Sequence, residues 1–246
     1  MATVNRVLPW RRELAPPSVE VAPLVTAFKG RDARTQVSRI TRAYEIARDA
    51  HEGQIRLSGE PYITHPLAVA RIVAGLGLDD TTIAAALLHD AVEDTGIELT
   101  DVEREVGAEV AAIVDGVTKL DRLKFDSKEA QQAATMRKML IAMAKDIRVL
   151  IIKLSDRLHN MRTIAAMPSW KQARTAQETL DIYAPLAHRL GMQDLKQQLE
   201  DLSFAALHPK RYAEIDQMVS TRAPERDIYL TQVLEQVKDR LGELRI

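Results

Sequence analysis

Residues 147–164 read IRVLIIKLSDRLHNMRTI, and at about 100° per residue Ile147, Leu150, Ile151, Leu154, Leu158 and Met161 fall on one side of a helix. So continuous an apolar stripe predicts a central helix. Lys153, Asp156, Asn160 and Thr163 follow at i, i+3, i+7 and i+10 on another side, which lines up an anionic group, an amide and a hydroxyl and suits a polar pocket. Taken alone, Asp156 reads more readily as the partner of Lys153 or Arg157 in an ordinary salt bridge. His159 stands off the line from Asp156 to Thr163 and reads as a structural histidine.

A second helix carries the complementary chemistry. In residues 84–95, AAALLHDAVEDT, the residues Ala84, Leu87, Leu88, Ala91 and Val92 cluster on one face and His89, Asp90, Glu93 and Asp94 on the other. His89 and Glu93, and Asp90 and Asp94, are one turn apart. A solvated acidic face accounts for this stripe as well as a functional one does. Against that, carboxylates packed so closely repel each other unless a cation sits among them.

Working outward, the chain reads as all-α, with no extended run of β-branched alternation and aromatic residues at only 4%, too few for a strand-rich core. Residues 1–17 lack periodicity and read as a flexible leader, with helices expected to begin near Ser18 and near Thr35. Pro66 is placed at a first helical position with Thr64 or His65 as its cap, and Gly75 and Gly77 stop that helix. Asp79 or Asp80 caps a helix running to about Asp94, ended by Gly96, and Thr100 with Glu103 fits a capping box for another that stops near Gly107. Further segments are expected at about 108–115, 127–144 and 147–164, from Ser169 as cap to the Pro185 region, and at 193–206, 210–220 and 225–244. Ala223-Pro224 is a plausible joint before the last.

Composition narrows the chemistry. The chain has no cysteine, so disulfides, thiolate metal sites and cysteine nucleophiles are excluded and any metal must be held by nitrogen and oxygen. With 34 basic against 35 acidic residues it lacks the global positive field of a non-specific nucleic-acid binder, and a polyanionic small substrate would need local basic groups. No apolar run is long enough to span a bilayer and the first residues lack a signal-peptide core, so no membrane association and a cytoplasmic location are expected.

With His65 added, the order His65, His89-Asp90, Asp156 resembles the H…HD…D arrangement of the HD superfamily of phosphohydrolases. Two imidazoles and two carboxylates suit a divalent first-row metal with positions left for water and a phosphate oxygen. Glu93 and Asp94 would then position or deprotonate the attacking water.

Several separate blocks carry a narrower resemblance: AYEIARDAHEGQIRLSGEPYITHPLAVARI, ALLHDAVEDTGI, VDGVTKLDRL, RVLIIKLSDRLHNMRTI, ETLDIYAPLAHRLGM and LEDLSFAALHPKRY. They resemble the hydrolase domain of long, actinobacterial-like Rel/SpoT homologues over most of residues 25–245. The resemblance implies manganese on His65, His89, Asp90 and Asp156, Glu93 and Asp94 serving the water, and Arg56, Ser58, Asn160 and Thr163 lining the nucleotide pocket. It implies hydrolysis of (p)ppGpp, the stringent-response alarmone, to GDP or GTP and pyrophosphate. Leu57 departs from the pattern, standing where many relatives carry lysine, which puts substrate affinity in question more than chemistry. Lys119, Arg122, Lys153 and Arg162 are further candidates for phosphate contact, though each such residue is more often a solvated or salt-bridged surface charge.

Residues 18–195 would form the hydrolase domain and 196–246 a helical bridge toward a synthetase half, so the chain reads as an N-terminal fragment with an exposed apolar patch on the bridge and scope for weak self-association. Ribosome contact would belong to domains outside this sequence. Two alternatives remain: an HD phosphohydrolase of another nucleotide, such as a dNTP or cyclic dinucleotide, and an inactive HD module that regulates a synthetase. The second sits poorly with a complete set of His65, His89, Asp90, Glu93, Asp94 and Asp156.

Overall fold

The computed structural model describes Ala22, Leu24 and residues 37–121 and 145–243. The leader, the helix near Ser18, the segment at 127–144 and Arg122 lie outside the described residues. The helices are α1 (Val37–Ala50), α2 (Thr64–Gly75), α3 (Asp80–Leu88), α4 (Ala91–Asp94), α5 (Leu99–Val106), α6 (Ala108–Asp121), α7 (Ile147–Arg162), α8 (Ser169–Glu178), α9 (Ala184–Arg189), α10 (Gln193–Leu207) and α11 (Pro209–Glu243). A 3₁₀ turn, Ile164–Ala166, follows α7, and a π-helical segment, Thr179–Tyr183, joins α8 to α9. The fold is all-α; the only β pairing among the described residues is one isolated bridge between Ile55 and Pro61.

Helix α7 lies between two apolar clusters. Its Val149 and Ile152 pack with α1, α2, α3, α5 and α6, while Leu150, Leu154, Leu158 and Met161 pack with Ala176, Ile182, Tyr183, Leu186, Leu195 and Leu199. It is thus central, as its sequence predicts, but apolar on two sides. Ile147, expected in the stripe, is the first residue of α7 and is 47% exposed. On the second side the Arg157 guanidinium lies 3.9 Å over the Tyr183 ring and 3.2 Å from Glu178, so the cation is held by a ring and a carboxylate as it enters the core.

Several boundaries differ from expectation for definable reasons. The helix expected from Asp79 to about Asp94 is broken: α3 ends at Leu88, and α4 resumes at Ala91. The expected two-faced stripe is absent, since Ala84 to Leu88 are all fully buried and α3 is apolar all round, as a helix in the centre of a domain must be. Asp79 caps α3 as expected, its carboxylate accepting from the Thr82 N–H. Pro66 is the third helical residue and Ile63 the cap; the missing N–H is harmless anywhere in the first turn, where no intrahelical acceptor exists. The capping box before Gly107 is Glu98 with Asp101, whose carboxylate accepts from the Glu98 N–H at 3.4 Å, because the Thr100 hydroxyl turns back to Glu98. Ser169 is the first helical residue after Pro168 at the cap, not the cap itself. The helical backbone of α11 runs through Ala223-Pro224: a proline forfeits one N–H bond without obliging a helix to end. Tyr212, Ile215, Met218, Val219, Leu234, Val237 and Leu241 are exposed along it, giving the expected apolar surface.

The short piece expected at 108–115 continues as α6 to Asp121, and Gly116 is its crossing point with α7. A Cβ at Gly116 would stand 2.7 Å from Val149 Cγ2, and Val149 is a buried, rotamer-restricted β-branched residue. Gly116→Ala is therefore expected to destabilise the fold by about 1–2 kcal/mol: overpacking costs about 1–3 kcal/mol and outweighs the gain of up to about 1 kcal/mol in helix propensity. Urea unfolding measures this, and adding Val149→Ala should recover part of the loss; a stabilised single variant would show that the crossing has room.

Candidate metal centre and its cleft

Three elements deliver the polar cluster. The turn through Pro61 and Tyr62 sets His65 in the first turn of α2, with its N–H donating to the Tyr62 carbonyl at 2.9 Å. The break between α3 and α4 presents His89 and Asp90. His89 Nδ1 lies 2.8 Å from the Ala86 carbonyl, so Nδ1 carries the proton and Nε2 faces the centre. Asp156 comes from the middle of α7, buried, on the side that Lys153, Asn160 and Thr163 share as they line the cleft.

Their atoms converge. His65 Nε2 lies 3.3 Å from Asp90 Oδ2 and 3.2 Å from Asp156 Oδ1, and His89 Nε2 lies 3.0 Å from Asp90 Oδ1. His65, His89 and Asp156 each offer a ligand atom within 4.8 Å of the others, and Asp90 touches both imidazoles. His89 Nε2 is buried yet makes no hydrogen bond, since the Asp90 oxygen beside it is off the line. A buried imidazole nitrogen aimed among carboxylates without a hydrogen bond of its own has the disposition of a metal ligand, and the N and O donors suit a divalent first-row ion.

Both alternatives for Asp156 coexist: Lys153 Nζ lies 2.9 Å from Oδ2, while Oδ1 faces His65 and accepts from Asn160 Nδ2 at 2.6 Å. Burial alone would raise the Asp156 carboxyl, but Lys153 foremost, with His65 and His89, holds it well below the usual carboxylate range. Burial of Asp90 is likewise outweighed by His89 and His65, so its carboxyl is also held low. For His89 burial opposes the charge, but Asp90 and Asp156 overcome it and lift the imidazole to about 9.

That raised value fixes the sign of a pH dependence. A ligating imidazole must be neutral, so below about pH 9 a proton on His89 competes with a metal ion, whereas the two carboxylates are already ionised. Apparent affinity for a divalent ion should rise with pH toward 9, by up to about tenfold per pH unit from this one proton, and flatten above it. Calorimetric titration in buffers of different ionisation enthalpy should show proton release at pH 7; pH-independent affinity between 6 and 8 would reject this electrostatic account.

Above the cluster opens a cleft of about 430 Å³. Of the residues expected in the site, Arg56, Ser58, His65, Asp90, Glu93, Asp94, Lys153, Asp156, Asn160 and Thr163 line it, and His89 lies buried behind. Arg56 Nη2 donates to Asn160 Oδ1 at 3.3 Å, which joins the loop before α2 to α7. Leu57 stands on the rim, 69% exposed, next to the similarly exposed Ile55. Two of the proposed phosphate contacts are directed elsewhere and are absent from the lining: Lys119 pairs with Asp115, and Arg162 donates to Gln198.

Three polar residues of the cleft or the cluster escaped the sequence reading. Tyr62 Oη lies 3.0 Å from Asp90 Oδ2 and 2.9 Å from Asp94 Oδ2; burial, then those two charges, push its phenol far upward, so it remains a donor. Its position one turn before His65 was the available signal. Lys171 reaches the cleft from α8 and no local pattern marked it. His159, read as structural, has Nδ1 2.7 Å from His65 Nδ1, and burial, His65 and Arg56 lower it to about 4.

An all-α core that gathers two histidines and two aspartates from three separate elements beneath a cleft of mixed charge defines a helical domain with a candidate divalent-metal site. The chain belongs to the HD-domain family, whose HD domain matches residues 43–193. It is 53% identical over 245 residues to a probable GTP pyrophosphokinase of Mycobacterium leprae, covering 100% of this chain and 31% of that protein. It is 53% identical over 224 residues to the bifunctional (p)ppGpp synthase/hydrolase RelA of Mycobacterium tuberculosis, covering 91% and 30% respectively. To the bifunctional (p)ppGpp synthase/hydrolase SpoT of Escherichia coli it is 51% identical over 211 residues, covering 86% and 30%. The chain thus spans about 30% of the length of these curated relatives. No helix among the described residues is long and apolar enough to cross a membrane.

Proposed function

We propose that this domain hydrolyses the 3′-pyrophosphate of ppGpp or pppGpp, yielding GDP or GTP and pyrophosphate, and so degrades the stringent-response alarmone. The observation that carries the reading is the convergence of His65, His89, Asp90 and Asp156 at the base of a cleft whose wall holds Glu93 and Asp94. The substrate follows from relatives named (p)ppGpp synthase/hydrolase at about half identity. His65, His89, Asp90 and Asp156 would hold one divalent ion, proposed to be manganese from the sequence resemblance. When bound, such an ion polarises the phosphoryl group and makes water more acidic.

The chain's own residues supply the rest. Arg56 and Ser58 from the loop before α2, with Asn160 and Thr163 from α7 and its end, would bind and orient the nucleotide; a guanidinium plane stacks on a purine as readily as it pairs with oxygen. Lys153, held against Asp156, would offset phosphate charge beside the cluster. Glu93 and Asp94 would orient the attacking water and take its proton. The water oxygen bonds to the proximal phosphorus of the 3′-pyrophosphate, the bond from that phosphorus to the ribose 3′ oxygen breaks, and a proton returns to the 3′ oxygen. Tyr62, bonded to Asp90 and Asp94 together, would keep the water-handling carboxylate in register with the metal-facing one.

We assign residues 18–195 to the hydrolase domain and 196–246 to a bridge. Leu195 and Leu199 are buried with α7, which supports a bridge whose first helix, α10, packs on the hydrolase body. A cytoplasmic location, and ribosome contact through segments outside this chain, complete the proposal. The test is pyrophosphate release from ppGpp by metal-stripped protein with and without manganese. Manganese-dependent release supports it; no release from a protein that binds the ion would point to another nucleotide or to a regulatory module.

A further inference from the structure

His159 lies outside the cleft lining, yet its Nδ1 is 2.7 Å from Nδ1 of His65, with ring centroids 4.9 Å apart. Two imidazole nitrogens at that distance share one proton: one donates and the other accepts. The other nitrogen of His65, Nε2, faces Asp90 and Asp156 at 3.3 and 3.2 Å, so it is the nitrogen available to an ion held by those carboxylates. Any proton on Nε2 must leave when Nε2 becomes a ligand. The proton of the neutral ring then resides on Nδ1, and the only acceptor given to Nδ1 among the described residues is Nδ1 of His159.

We propose that His159 is the positioning residue of the metal centre: it accepts the Nδ1–H hydrogen bond of His65, fixing the tautomer and ring orientation that present Nε2 to the ion. This rests on the metal set proposed above and extends it by one residue. Partners of ligating histidines are ordinarily carboxylates, carbonyls or waters. A neutral imidazole in that place orients the ring without adding negative charge behind it, so His65 donates less strongly than a carboxylate-backed histidine and leaves the bound ion more acidic. The backbone holds the acceptor in place: the His159 carbonyl receives both the N–H and the hydroxyl of Thr163, each at 3.1 Å, where α7 ends.

Manganese affinity of the metal-stripped chain, measured by calorimetric titration, separates the possibilities. His159→Phe fills the space but removes the acceptor, and should weaken manganese binding by about 10- to 100-fold, the usual effect of losing such a partner. His159→Asn places an amide oxygen near the position of Nδ1 and should bind manganese within about threefold of wild type, as expected if the acceptor is what matters. Thermal unfolding of the metal-free variants checks that each is folded, and the Asn variant carries the test if the Phe variant is not. Phe binding as tightly as wild type, or Asn losing as much as Phe while folded, would overturn the proposal. A wild-type chain that binds no manganese would instead overturn the metal reading, and the role of His159 with it.

Discussion

Replacing Asp156 with asparagine is expected to lower pyrophosphate release from ppGpp by at least about 1,000-fold, some 4 kcal/mol of barrier. Asp156 joins α2 to α7 at the centre: its Oδ1 faces His65 and accepts from Asn160, and its Oδ2 pairs with Lys153. Asparagine preserves the volume and one oxygen acceptor while removing the charge, so the change isolates the carboxylate from packing. Two losses then coincide. An ion would lose an anionic ligand, and the imidazoles of His65 and His89 would lose one of the charges that now face them. Calorimetry should show manganese binding weakened in parallel with turnover. A variant that retained more than about a tenth of wild-type activity would place Asp156 outside the metal set and return it to the simple salt bridge with Lys153.

How much of this was legible in the chain depends on which physical signal each residue leaves. Helix existence was legible because periodic burial and capping residues are local: Asp79 caps α3, and α7 carries the apolar spacing that makes it central. What failed was facing. A helix packed on one side shows a stripe, but Ala84 to Leu88 are buried all round and Val149 and Ile152 form a second buried side on α7, and neither arrangement has a one-faced signature. The break at His89-Asp90 was hidden for a related reason, since histidine and aspartate fit an unbroken helix as well as a bend. Within the candidate site, the gathering of His65, His89, Asp90 and Asp156 was legible through the order of residue types along the chain. Tyr62, Lys171 and His159 were not, because their roles come from contacts made across the sequence: His159 meets His65 across 94 positions and Tyr62 meets Asp94 across 32.

Glu93→Gln should separate chemistry from metal binding, with kcat reduced about 100- to 10,000-fold while manganese affinity stays within about twofold of wild type. Glu93 lines the cleft from α4, one turn beyond the metal-facing cluster, and is not in the set of atoms that converge there. Asp94, on the same short helix, accepts a hydrogen bond from Tyr62 at 2.9 Å. Because Tyr62 ties Asp94 to Asp90 on the metal-facing side, we assign Asp94 to aligning the water and Glu93 to taking its proton. If so, Asp94→Asn and Tyr62→Phe should resemble each other, each with a smaller loss of kcat than Glu93→Gln, because both disturb one alignment. Glutamine is the right replacement at position 93, being nearly isosteric and still able to accept a hydrogen bond from water, but unable to remove its proton. Glu93→Gln retaining more than a tenth of wild-type kcat, with Asp94→Asn the more damaged, would reverse the assignment and make the tyrosine-bonded carboxylate the base.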